Sequence, residues 1–97
     1  MSFAEFLAGP TPDAAVPAPL RALWHDGHGE WDQAHALVQS DPGAVAAWVH
    51  AYLHRREGDD ANAGYWYRRA GRTRPTAGVS LDDERAAIGE ELLGEMG

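Results

Sequence analysis

The sequence predicts an all-α fold, a compact bundle of about five to six short helices. Apolar residues recur at helical spacing in several separate runs. No run alternates strictly enough to make a strand. Gly, Pro, Asp and Ser stand between the runs, where helices begin and end. A chain of 97 residues fits one domain, so 1–97 reads as a single helical unit.

Ser2 and Glu5 have the spacing of a capping box. Phe3, Phe6 and Leu7 form the apolar stripe of a short helix that Gly9-Pro10 stops. Residues 9–19 contain Pro10, Pro12, Pro17 and Pro19 and read as an extended loop with no helix of its own. Residues 20–41 read as a degenerate hairpin. Leu20, Leu23 and Trp24 begin one helix, broken by Gly27 and Gly29, and Trp31, Ala34, Leu37 and Val38 form the next. Residues 43–73 read as a more regular hairpin. Asp41-Pro42 supplies a cap and first turn for a helix over about 43–57, which Gly58 ends. Asp59 or Asp60 caps a helix over about 60–72. After a loop around Pro75 to Gly78, Ser80 caps a C-terminal helix over 80–96. Asp82, Asp83 and Glu84 suit its positive end, and Leu81, Arg85, Ile88 and Leu92 lie along one face.

Composition narrows the chemistry. With no cysteine, a disulfide framework, a thiolate zinc site and a cysteine nucleophile are excluded. Met1 to Gly9 lacks the positive start and long apolar run of a signal peptide. No stretch approaches the ~20 apolar residues of a membrane span, so a cytoplasmic protein with no membrane contact is expected. The net charge of −7 argues against nucleic acid as a partner. That charge is uneven. Arg55, Arg56, Arg68, Arg69, Arg72 and Arg74 against Glu57, Asp59 and Asp60 give residues 55–74 a charge of +3, leaving −10 for the rest of the −7 chain.

A weak internal repeat runs through both hairpins. Gly29-Glu30-Trp31-Asp32-Gln33-Ala34 and Gly58-Asp59-Asp60-Ala61-Asn62-Ala63 share a Gly for a tight turn and a small Ala for close helix approach. The second unit, with Gly58-Asp59, Ala63, Tyr67, Ala70 and Pro75, resembles a tetratricopeptide repeat. The run Tyr65-Trp66-Tyr67-Arg68-Arg69-Ala70-Gly71 is also similar to Sel-one-like repeats. Ala47 and Ala51 fit the small positions of the first helix, whereas His50 and His54 stand where larger apolar residues are usual. The run from His50 to Asp59 also resembles a group of short bacterial proteins of no assigned function. The repeat resemblance implies a scaffold for protein or peptide contacts. Such scaffolds normally need three or more repeats to form a groove, so two imperfect units are expected to close on themselves.

Two faces of the helix over 43–57 carry the candidate sites. His50 and His54 lie one turn apart with Glu57 nearby, and His35 comes from the preceding helix. Imidazoles at i and i+4 can share a metal. The favoured reading is that they are partly buried structural groups bonded to tyrosine hydroxyls or backbone; metal and another polar ligand are the alternatives. The His-Glu-x-x-His protease motif is absent because residue 51 is Ala. The other face holds Trp48, Tyr52, Arg55 and Arg56. Arg beside aromatic rings can clamp an anion or an acidic partner, unless the acidic last helix covers it. His25-Asp26-Gly27-His28 reads mainly as a turn.

No phosphate loop, nucleophile elbow or distinctive carboxylate pair is present, so no catalytic residue is assigned and no enzyme class stands out. The expected function is a small protein-interaction or assembly module, with a protein partner or self-association through its opposite charges. The alternative is a small ligand- or metal-binding protein, even a catalytic one, using His35, His50, His54 and Glu57. No cofactor is expected beyond a metal at those histidines.

Overall fold

The computed structural model describes residues 1–96. Its six helices are α1 (Phe3–Ala8), α2 (Ala18–Gly27), α3 (Trp31–Val38), α4 (Ala44–Arg56), α5 (Asp60–Ala70) and α6 (Leu81–Met96). No strand occurs among the described residues, and none of these helices is long and apolar enough to cross a membrane. The radius of gyration, 12.2 Å, is that of one folded unit, for which about 12.5 Å is expected at this length.

Helices α2 and α3 pair closely, as do α4 and α5, and the two turns between partners are alike. Gly29 and Gly58 take φ of +76° and +85°, a conformation that costs glycine little. At each turn the glycine N–H bonds back to Asp26 or Arg55. The next residue's N–H reaches the carbonyl of His25 or His54, each at 2.9 Å. This is the Schellman arrangement, which satisfies carbonyls that a helix end leaves free.

Helix α4 is the hub and touches α2, α3, α5 and α6. Eight of its 13 residues are buried, so it is enclosed on most sides instead of presenting one apolar stripe. Val49, Tyr52 and Leu53 join Leu20, Leu23, Ala34, Val38, Ile88 and Leu92 in the main core. Ala51, Ala63 and Tyr67 form a smaller one between α4 and α5. Helix α1 closes one end against α2 and α6. A Cβ on Gly89 would fall 2.0 Å from the Phe3 ring, so only glycine lets α1 lie this close.

The caps follow local chemistry. Ser2 and Glu5 form the full capping box, Asp59 accepts from Asn62 N–H, and the Ser80 hydroxyl accepts from Asp83 N–H at 3.0 Å. Two boundaries differ from expectation. Helix α2 starts at Ala18, inside the proline-rich stretch, with buried Pro19 in its first turn. A first-turn proline gives up an N–H that had no helical partner anyway. Helix α4 is capped by Gly43, not Asp41. The Asp41 carboxylate accepts from Gly43 N–H at 2.9 Å, a local turn that competes with capping.

Candidate metal centre

Three helices assemble one aromatic and imidazole cluster. Helix α3 presents Trp31 and His35 one turn apart, α4 presents His50 and His54 one turn apart, and α5 contributes Trp66. Trp31 anchors α3 to α4 by donating its indole N–H to the Leu53 carbonyl at 2.8 Å. Its ring stacks on His35 at 4.8 Å between centroids, and Trp66 stacks on His50 at 4.0 Å. The imidazoles meet between these walls. His35 Nε2 lies 3.0 Å from His50 Nε2, and each of the three histidines offers one nitrogen within 4.8 Å of the others'. His50 and His54 are buried, while His35 is half-buried.

Burial disfavours the charged form of these rings. It lowers the His50 pKa to about 4, with the neighbouring His54 and His35 adding to the effect. Burial also lowers His35, helped by His54 and opposed by the Glu57 and Asp32 carboxylates. His50 is therefore a neutral imidazole at pH 7, and neutral imidazole is the form that binds metals. His54 Nδ1 lies 2.6 Å from Glu57 Oε1. An ionised carboxylate only accepts, so Nδ1–H donates and Nε2 is the nitrogen left to face a metal. A carboxylate that orients an imidazole in this way is the usual companion of a histidine ligand.

The donor set can be bridged by a proton or by a metal. Two imidazole nitrogens 3.0 Å apart need a proton or a cation between them. If His50 accepts at Nε2, its own proton is on Nδ1, which is buried without any hydrogen-bond partner. A buried donor left unpaired costs roughly 1–3 kcal/mol, and a metal on Nε2 would leave the same Nδ1 donor. If His50 donates instead, Nδ1 is an unused acceptor. Tetrahedral zinc with Zn–N bonds of 2.0–2.1 Å holds its ligand nitrogens about 3.3 Å apart. His35 Nε2 and His50 Nε2, 3.0 Å apart, are close to that spacing, and all three nitrogens lie within 4.8 Å of one another.

The nearby carboxylates have other tasks. Glu57 holds His54, and Asp59 caps α5 through Asn62 N–H at 3.2 Å and the Asn62 side-chain amide at 2.8 Å. His25 pairs with Glu30, and His28 donates to the Leu7 carbonyl at 2.8 Å, so neither joins the cluster. The Tyr52 and Tyr67 hydroxyls also go elsewhere, contrary to the expectation that tyrosine hydroxyls meet His50 and His54. Tyr52 donates to Asp26 and Tyr67 donates to Glu84, each at 2.5 Å. A charged carboxylate is a stronger acceptor than a neutral ring nitrogen.

The second candidate face is engaged within the chain. Arg55 bonds to Glu84 at 2.9 Å. Arg56 reaches buried Asp26 and exposed Asp82, both at 3.1 Å. Arg85 reaches the same Asp26 at 3.2 Å. Trp48 lies beneath Arg72, whose guanidinium carbon is 3.8 Å from the ring centroid. Burial and the Asp26 carboxylate hold the Tyr52 hydroxyl protonated well above its ordinary range. Sequence reasoning missed Asp26 as the buried centre of this network and Trp31 and Trp66 as walls of the histidine cluster. The signal for Trp31 was present in its i, i+4 relation to His35.

Comparison with protein-family models, with curated proteins and with solved structures gives no match.

Proposed function

We propose that this protein binds a divalent transition metal ion of the zinc class through His35, His50 and His54. The observation that carries the reading is the convergence of three imidazole nitrogens within 4.8 Å of one another. Neutral nitrogen donors without thiolates favour zinc, nickel, cobalt or copper, and disfavour magnesium and calcium, which prefer oxygen. The His54–Glu57 pair supports the same reading, because it engages Nδ1 and leaves Nε2 as the nitrogen that can bind. A protein-interaction module ranks second. Arg55 and Arg56 already hold acidic residues of their own chain. The exposed aromatic offered to a partner is Tyr65 on α5, at 44% exposure.

Equilibrium dialysis of untagged protein against zinc tests the proposal. About one zinc per chain is expected for a single site, lost in His50→Ala and kept in His25→Ala. Zinc binding no greater in the wild type than in His50→Ala overturns it.

A further inference from the structure

The apolar groove lined by Pro17, Leu20, Val45 and Leu92 has nothing to identify an occupant, and the Asp26 network satisfies its own charges. The histidine cluster carries the furthest inference. Resting on the metal reading above, we infer that the bound metal keeps one coordination position for a small, exchangeable external anion.

The three histidines group together without a fourth member, and Glu57 and Asp59 form a separate group that shares only His54. The closest carboxylates are committed: Glu57 accepts the His54 Nδ1 proton at 2.6 Å, and Asp59 holds the start of α5. A zinc ion with three protein ligands takes its fourth from solvent or substrate. Charge selects what that ligand is. Three neutral imidazoles leave a 2+ ion with no directly bound negative charge. The aromatic walls lower the local dielectric, which strengthens attraction for an anion.

Shape limits its size. Trp31 and Trp66 lie directly against two of the ligand rings, with interplanar angles of 9° and 21°. They cover two flanks, while His35 is half-buried and the Glu57 side chain is 37% exposed, so solvent reaches the edge of the cluster there. A linear or monatomic anion, bound through one atom, fits such an approach.

Cobalt(II) is the probe, since its visible spectrum reports both the number and the exchange of its ligands. The untagged protein is loaded with cobalt and titrated with sodium azide, alongside His50→Ala and Glu57→Gln. The expected result is a visible cobalt band that needs His50 and shifts saturably with azide in both wild type and Glu57→Gln. A cobalt band that needs His50 but ignores azide overturns the open position and leaves the metal reading standing. An azide response confined to Glu57→Gln also overturns it, because Glu57 then fills the fourth position itself. Absence of any cobalt band in the wild type overturns both readings.

Discussion

His35 Nε2 and His50 Nε2 face each other across the α3–α4 contact at 3.0 Å, and His50 has no other partner. Two lone pairs cannot meet at that distance, so a proton or a cation holds the helices together here. The metal-free protein must rely on the proton.

The first prediction concerns acid sensitivity without metal. Burial lowers the folded His50 pKa to about 4, against roughly 6.5 in an unfolded chain. Below the unfolded value, the unfolded state takes up a proton that the folded state refuses. Stability is therefore complete above pH 6.5 and falls as pH drops toward 4, where the folded ring also titrates. The loss from this group is on the order of 3 kcal/mol. His35, lowered in the same direction, adds to it, while Glu57 and Asp32 oppose protonation penalties at His35. Urea denaturation in chelator across this window should show a shallower fall for His50→Gln than for wild type. Parallel pH profiles for the two proteins would contradict the assignment.

The second prediction separates Glu57 from the ligands themselves. The carboxylate accepts from His54 Nδ1 at 2.6 Å and is 37% exposed, so its role in the fold is small. Glu57→Gln retains an acceptor but not the charge, and Glu57→Ala retains neither. Loss of such an orienting partner typically weakens metal binding about 10–100-fold. Competition with a chromophoric chelator should rank zinc affinity as wild type, then Gln, then Ala. Metal-free melting temperatures should stay nearly constant across the three.

Much of this architecture is legible in the sequence, because it follows from contacts close along the chain. The Ser2–Glu5 box, the Ser80 and Asp59 caps and the Gly29 and Gly58 turns are all settled within about five residues. The His50–His54 pair follows from helical spacing alone. The walls and the charge network are different. Whether Trp31 joins an apolar stripe or stacks on His35 depends on how α3 lies against α4. Asp26 meets Arg85 across 59 positions, and no local rule selects that partner over the other acids. Asp41 fails as a cap because its carboxylate has a second local bond available at Gly43.

The third prediction tests that long-range network. Asp26 is 5% exposed and receives Tyr52, Arg56 and Arg85. Asp26→Ala leaves two guanidinium groups without their buried counter-ion and strands the Tyr52 hydroxyl. Breaking a buried pair from one side costs about 3–5 kcal/mol. Partial compensation by Asp82, which also contacts both arginines, places this case near the lower figure. Chemical denaturation should show a large drop in midpoint for Asp26→Ala. Asp26→Asn, which can still accept from Tyr52, should lose less.

The fourth prediction concerns the seat of α1. Among the helices, α1 touches only α2 and α6, whereas the histidines stand on α3 and α4. Its main anchor is Phe3, 3% exposed, whose N–H also donates to Glu90 at 2.8 Å. Gly89→Ala would place a methyl group 2.0 Å from the Phe3 ring. A six-residue helix has little stability of its own, so the ring leaves and α1 goes with it. Overpacking of this kind costs about 1–3 kcal/mol. Hydrogen exchange should rise selectively over residues 3–8 while zinc affinity is unchanged. In a Phe3→Ala background the ring is already gone, so Gly89→Ala should then cost little. Equal penalties in the two backgrounds would mean that the residues act independently, and that α1 is not held by this contact.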